Sequence, residues 1–132
     1  MSATETRAGL DSLPEDIAPL DLEAAVRSLQ RGDDWDGEGA RGVSRDACEA
    51  ALAFLAEVRA AIQGLPDPTS VSPSVSGAVA FSWRRGREVL LVEVAAEMAE
   101  LLYHQWRGPK DQRSSGFVDR AHVVGLLRGL CA

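Results

Sequence analysis

"AVAFSWRRGREVLLVEV", residues 78–94, decides the fold class. Val79, Phe81 and Trp83 alternate with smaller residues and so fall on one side of an extended chain, the period-two mark of a half-buried strand. "RRGR" (84–87) is polar and carries Gly86 where the chain must reverse. "EVLLVEV" (88–94) is a second, β-branched strand. Strands joined this closely must be antiparallel, because parallel neighbours need a long crossover.

Upstream, "SVSPSV" (70–75) predicts a short strand whose Pro73 cannot donate to a ladder and therefore belongs at a sheet edge. Downstream, "AAEMAELLYHQW" (95–106) supports two readings. Its alanines, glutamates and Met98 favour helix by propensity, whereas Leu101, Tyr103 and Gln105 alternate as in a strand. A fourth strand is preferred, since the meander would otherwise end on a bare hydrophobic edge; helix stays open for residues 96–106. "RGPKDQRSSG" (107–116) reads as a polar loop.

Helices flank this sheet. Leu22, Val26 and Leu29 predict a first helix over Leu20–Arg31, with Asp21 at its start and Gly32 as its stop. Cys48, Ala51, Leu52, Leu55, Val58 and Ile62 form the stripe of a second, from Ser44 to Gln63. Ser44 can cap it, or Asp46 with Glu49 as a capping box, and "LPDP" after Gly64 forbids its continuation. A last helix starts at Asp119 and buries Val123, Leu126, Leu127 and Leu130. The expected fold is α+β, two-layer, with helices packed on a 3–4 stranded antiparallel meander in the order α-α-β-β-β-(β)-α. Residues 1–18 read as a mobile acidic arm and 19–132 as a single domain.

At 132 residues, 45% hydrophobic and 26% charged, the chain has an ordinary globular composition. No apolar run reaches the roughly 20 residues of a bilayer span, and "MSATETRAGLDSLPEDIAPL" (1–20) lacks the basic start and apolar stretch of an export signal. Cys48 and Cys131 fit no metal or redox spacing. Both read as reduced thiols, which predicts a cytoplasmic protein with no membrane association. With aromatics at 5%, Trp35, Trp83 and Trp106 must supply much of the bulky packing.

The net charge of −6 is unevenly placed: residues 1–40 hold ten acids and three arginines, so they carry −7 and the remainder +1. An acidic segment repels nucleic acid and suits a basic protein partner, with simple solubility as the plainer reading. Glu15, Asp16, Asp21 and Glu23 are the candidate partner-binding residues.

"DDWDGEGARG" (33–42) is the stretch that most resembles a site. Asp34, Asp36 and Glu38 fall at positions 1, 3 and 5 of a calcium loop with Gly39 at position 6, yet position 12, where a glutamate should close the site, is Arg45. Catalysis by Asp36, Glu38 or the histidines His104 and His122 is a second reading, without any GxSxG, HExxH or P-loop motif to support it. A rigid corner is physically cheaper. Trp35, Asp36, Gly37, Gly39 and Ala40 would form it, with Gly37, Gly39 and Gly42 at positive φ, Asp34 or Asp36 accepting backbone N–H groups and Trp35 folded onto the core. No cofactor is expected. Arg84, Arg85 and Arg87 could meet phosphates from a hairpin tip, although the acidic balance makes nucleic acid the weaker partner.

The series Trp35-Asp36-Gly37-x-Gly39-Ala40, a helix, Pro66, Pro68, Pro73, then Gly77 and Trp83 resembles a group of small uncharacterised bacterial and phage proteins. These share a W-D-G-x-G-A corner followed by a helix and antiparallel hairpins. The likeness spans about residues 33–106, departs from the group at "AAEM" (95–98), and implies the sheet reading of residues 98–106 but no activity. The functional expectation is a small non-catalytic interaction or regulatory protein (antitoxin-like, immunity or accessory subunit) that binds a partner protein or a further copy of itself, with the acidic residues steering and the exposed sheet face carrying recognition. The competing readings are a metal-dependent hydrolase or calcium-stabilised module built on Asp33–Glu38, and a nucleic-acid contact through Arg84–Arg87.

Overall fold

The computed structural model describes residues 19–96, 101–107 and 112–131. The acidic arm with Glu15 and Asp16 lies outside the described residues. The order is α1 (Pro19–Arg27), α2 (Arg45–Ala61), β1 (Ser70–Pro73), β2 (Val79–Arg85), β3 (Glu88–Val94), β4 (Leu101–Arg107), β5 (Gln112–Val118) and α3 (Arg120–Cys131). The five strands form one antiparallel sheet in sequential order, β1 to β5. The fold is α+β, with helices against an antiparallel meander.

Three boundaries and one element differ from the sequence reading. α1 stops at Arg27 rather than Arg31, because the Ser28 hydroxyl donates to the Ala25 carbonyl at 2.7 Å and Arg31 is drawn away into a bridge with Val43. α2 begins after Ser44, whose Oγ accepts the Ala47 N–H at 3.0 Å; Glu49 makes no capping box but pairs with Arg27 at 2.6 Å. That guanidinium holds the Glu49 carboxyl below its ordinary range. α3 is capped by Asp119, which accepts the His122 N–H at 2.8 Å, and Leu126 is only half-buried. The fourth strand exists, and the expected polar loop 107–116 gives way to a fifth strand from Gln112.

One sheet face carries Val79, Phe81, Trp83, Leu90, Val92, Val94 and Leu101, all buried beneath α2 and α3. Phe54 of α2 stacks on Phe81 at 5.9 Å, and Phe81 meets Trp83 at 6.0 Å. The α2 stripe is Ala47, Cys48, Ala51, Phe54, Leu55 and Val58, with Leu52 and Ile62 only partly buried. Leu22 and Val26 of α1 complete the layer against α2, where the Cys48 thiol donates to the Val26 carbonyl. Burial pushes the Cys48 thiol pKa up.

Gln105 sits in this covered face at 4% exposure, and its Nε2 has no hydrogen-bond partner. A buried donor left unsatisfied costs about 1–3 kcal/mol. Gln105→Met, which keeps the length and removes the amide, therefore raises unfolding stability by about 1–2 kcal/mol in urea titration. A fall in stability would mean that the amide serves a ligand or water.

Candidate functional site

The corner at 33–42 is built by its own side chains. Asp33 Oδ1 accepts the Gly42 N–H at 2.7 Å, Asp34 Oδ1 the Gly39 N–H at 2.7 Å, and Asp36 Oδ1 the N–H groups of Glu38 (2.8 Å) and Ala40 (3.1 Å). Gly37 and Gly39 take positive φ as expected, and so does Asp34 at +60°, a conformation that a short polar side chain tolerates. Gly42 does not; it is there because backbone passes too close for a side chain. Ala40 is buried. Trp35 corrects the expectation: it stays half-exposed, donates its indole N–H to the Arg41 carbonyl at 2.8 Å and lies 5.3 Å beneath the Arg31 guanidinium.

Three carboxylates of the loop thus hold backbone amides. Among the described residues, no group of three acids, histidines or cysteines is placed to hold a metal ion. The Glu38 N–H, then that of Ala40, hold the Asp36 carboxyl below its ordinary range. A group with a depressed folded-state pKa contributes stability above the unfolded value, about 4, and that contribution disappears as pH falls through the folded value. Asp36→Asn keeps an acceptor without the charge. Its urea midpoint is therefore below wild type at pH 7, and the gap closes on acidification below pH of about 4. A gap independent of pH would contradict this role.

The histidines do not converge with the loop or with each other. His122 lies 6.1 Å from Tyr103 on the covered side, whereas His104 points to the opposite side of the sheet. There His104 Nε2 stands 3.6 Å from Glu93 Oε2, and Glu93 Oε1 accepts the Ser74 and Ser76 hydroxyls at 2.8 and 3.3 Å. Serine, carboxylate and imidazole meet in the wrong order for nucleophilic catalysis: the acid lies between, so the imidazole does not receive the hydroxyl proton.

That second sheet face is the one expected to carry recognition, and the strand register supplies the residues that the sequence reading did not name. Register aligns Ser82, Leu91, His104 and Ser115 in one row, and Ala80, Glu93, Leu102 and Phe117 in the next. Arg84, Val89, Trp106 and Arg113 form a third. Val89, Leu91, Leu102 and Trp106 remain partly exposed and Phe117 is 58% exposed. No described helix covers them. Alternation in "EVLLVEV" was the available signal, since Val89 and Leu91 put apolar side chains on both faces. Of the charged candidates, Glu23 is exposed and bound by Arg27 at 3.1 Å, and Asp21 lies in the first turn of α1. Arg84 and Arg85 end β2 and Gly86, at φ +62°, turns the chain into β3.

The domain is thus a two-layer α+β unit with one sheet face covered by helices and the other left open by the described residues. Comparisons with protein families, curated proteins and solved structures found no match to this chain. Among the described residues, no helix is long and apolar enough to cross a membrane.

Proposed function

We propose that the protein is a small non-catalytic interaction subunit, of the antitoxin-like, immunity or accessory kind, that binds a partner protein through the open face of its sheet. The observation that carries this reading is the set of Val89, Leu91, Leu102, Trp106 and Phe117 across three strands, apolar, partly or fully exposed, and covered by no described helix. Large apolar patches on a monomer mark interaction sites more often than they occur idly. The acidic N-terminal third steers a basic partner towards the domain, as opposite charge raises encounter rates. A cytoplasmic location fits two cysteines that both stand unpaired.

Leu91→Glu with Leu102→Glu places two charges in this face without touching the core. The variant keeps the wild-type melting temperature and loses a stoichiometric partner recovered with the tagged wild-type protein, with affinity down about tenfold or more. Raising salt weakens the wild-type association. A second copy of the chain as partner would appear as a dimer in sedimentation, abolished by the same pair of substitutions. Undiminished association in the variant would overturn the reading.

A further inference from the structure

A cavity of about 580 Å³ lies where the connection Ile62–Thr69 passes the end of β2 and the last turn of α3. That volume falls in the range of small-molecule sites, about 300–1,000 Å³. Leu65, Trp83 and Leu130 contribute its apolar lining, and Arg85 and Arg128 stand at it from β2 and α3; Arg84 also lines it, but alternation along β2 puts its side chain on the open face. Trp83 is 2% exposed and its indole N–H is taken by the Pro66 carbonyl at 3.1 Å, so the ring underlies the cavity and presents no free polar group to it. Arg128 is anchored by Nη2 donating to the Ala61 carbonyl at 2.9 Å.

The charges at this cavity are unbalanced. Asp67 also lines it, but Arg59 holds that carboxylate at 2.6 Å. Arg84 and Arg85 have no carboxylate partner among the described residues. A chain of net charge −6 therefore keeps two cations, Arg85 and Arg128, beside one apolar hollow. Both neighbouring helices, α2 and α3, end here, so their negative dipole ends face the same region. That field disfavours a multiply charged phosphate, and neither a glycine-rich loop nor a helix N-terminus is present at the cavity to offset it. A single negative charge on an apolar body suits the site best: arginine forks match a carboxylate, and the tryptophan wall takes the hydrocarbon.

We infer that this cavity binds a small apolar monocarboxylate, with Arg85 and Arg128 receiving the carboxylate and Trp83, Leu65 and Leu130 lying against the body. The inference does not rest on the sheet-face reading, since these residues and that face serve separate partners. Cys131 lines the cavity and provides a readout, whereas Cys48 is buried.

The test is calorimetric titration of the full chain with 4-phenylbutyrate and octanoate, with octylamine and inorganic phosphate as controls. Both carboxylates bind saturably, slow the alkylation of Cys131 by iodoacetamide, and lose about tenfold in affinity in Arg85→Gln and in Arg128→Gln. Arg128→Lys restores part of the loss, and melting temperatures show that each variant is folded. Arg85 lies at an exposed turn, so its variant stays informative even if Arg128→Gln unfolds. No saturable carboxylate binding up to about 5 mM would overturn the inference. So would binding that is indifferent to both arginines, or equal binding of phosphate or octylamine.

Discussion

Trp83→Ala lowers the unfolding free energy by about 3–5 kcal/mol, the range for emptying a large aromatic from a packed interior. The ring is among the largest fully buried side chains of the domain, packs 6.0 Å from Phe81, and through Phe81 joins the stack that ties β2 to Phe54 of α2. Its position beside the cavity adds to the loss, since removal merges new empty volume with existing volume that collapse cannot fill. A domain of this size has about 5–15 kcal/mol in total, so the variant melts on the order of 10–20 °C lower. Trp83→Phe separates the ring from the N–H. It keeps most of the packing and frees the Pro66 carbonyl, which is exposed enough to find water, so it costs about 1–2 kcal/mol. Urea titrations of both variants check the pair. An alanine variant within about 1.5 kcal/mol of wild type would show that the β2–α2 stack does not organise the core.

The same residue marks where the sequence was legible. Alternation in 78–94 dictates the central hairpin because one of its faces is strongly apolar, and the structure pairs Val79 with Val94, Phe81 with Val92 and Trp83 with Leu90 on that face. Legibility fails towards the edge. β5 reads Gln-Arg-Ser-Ser-Gly-Phe-Val, polar and small, with no alternation to detect. Its strand form comes from the ladder with β4, which no local propensity encodes. Phe54 escaped the α2 stripe because periodicity alone gives the width of a face loosely; the neighbour that makes it core is Phe81, twenty-seven positions on.

The candidate sites divide along the same line. A local loop such as 33–42 is readable because its partners are its own backbone: Asp34 and Asp36 accept N–H groups of the loop, and Gly37 and Gly39 take positive φ. Trp35 was misplaced because its choice between core and solvent depends on how closely α1 approaches α2, which is a tertiary fact. The open sheet face and the arginine-rimmed cavity each draw on three or more elements, so no single stretch contains either.

Gly42→Ala carries the second large effect, about 2–3 kcal/mol, and it tests the corner as a packed object. A Cβ at Gly42 would stand 2.6 Å from the Arg31 carbonyl oxygen, 2.8 Å from the Gly32 carbonyl carbon and 3.0 Å from the Asp33 nitrogen. All three are backbone atoms, so no side chain can swing aside. On its carbonyl side Gly42 lies beside Gly77, where an added Cβ would stand 2.9 Å from the Gly42 oxygen, so both glycines mark close backbone approach. Relief requires parting the Arg31–Val43 bridge, whose N–H to carbonyl bond is 2.9 Å, and loosening the Gly42 N–H from Asp33. Gly32→Ala is the matched control: nothing lies within 4 Å of its Cβ position and its φ is not positive, so it changes stability by about 0.5 kcal/mol or less. Urea midpoints of the two single variants decide the matter. If Gly42→Ala were as mild as Gly32→Ala, the corner would be loose, its carboxylates free to exchange their amides for a cation, and the metal reading of Asp34, Asp36 and Glu38 would regain its claim. A large, selective loss at Gly42 instead means that the acidic corner is held by backbone contact on two sides, and that its carboxylates serve the fold.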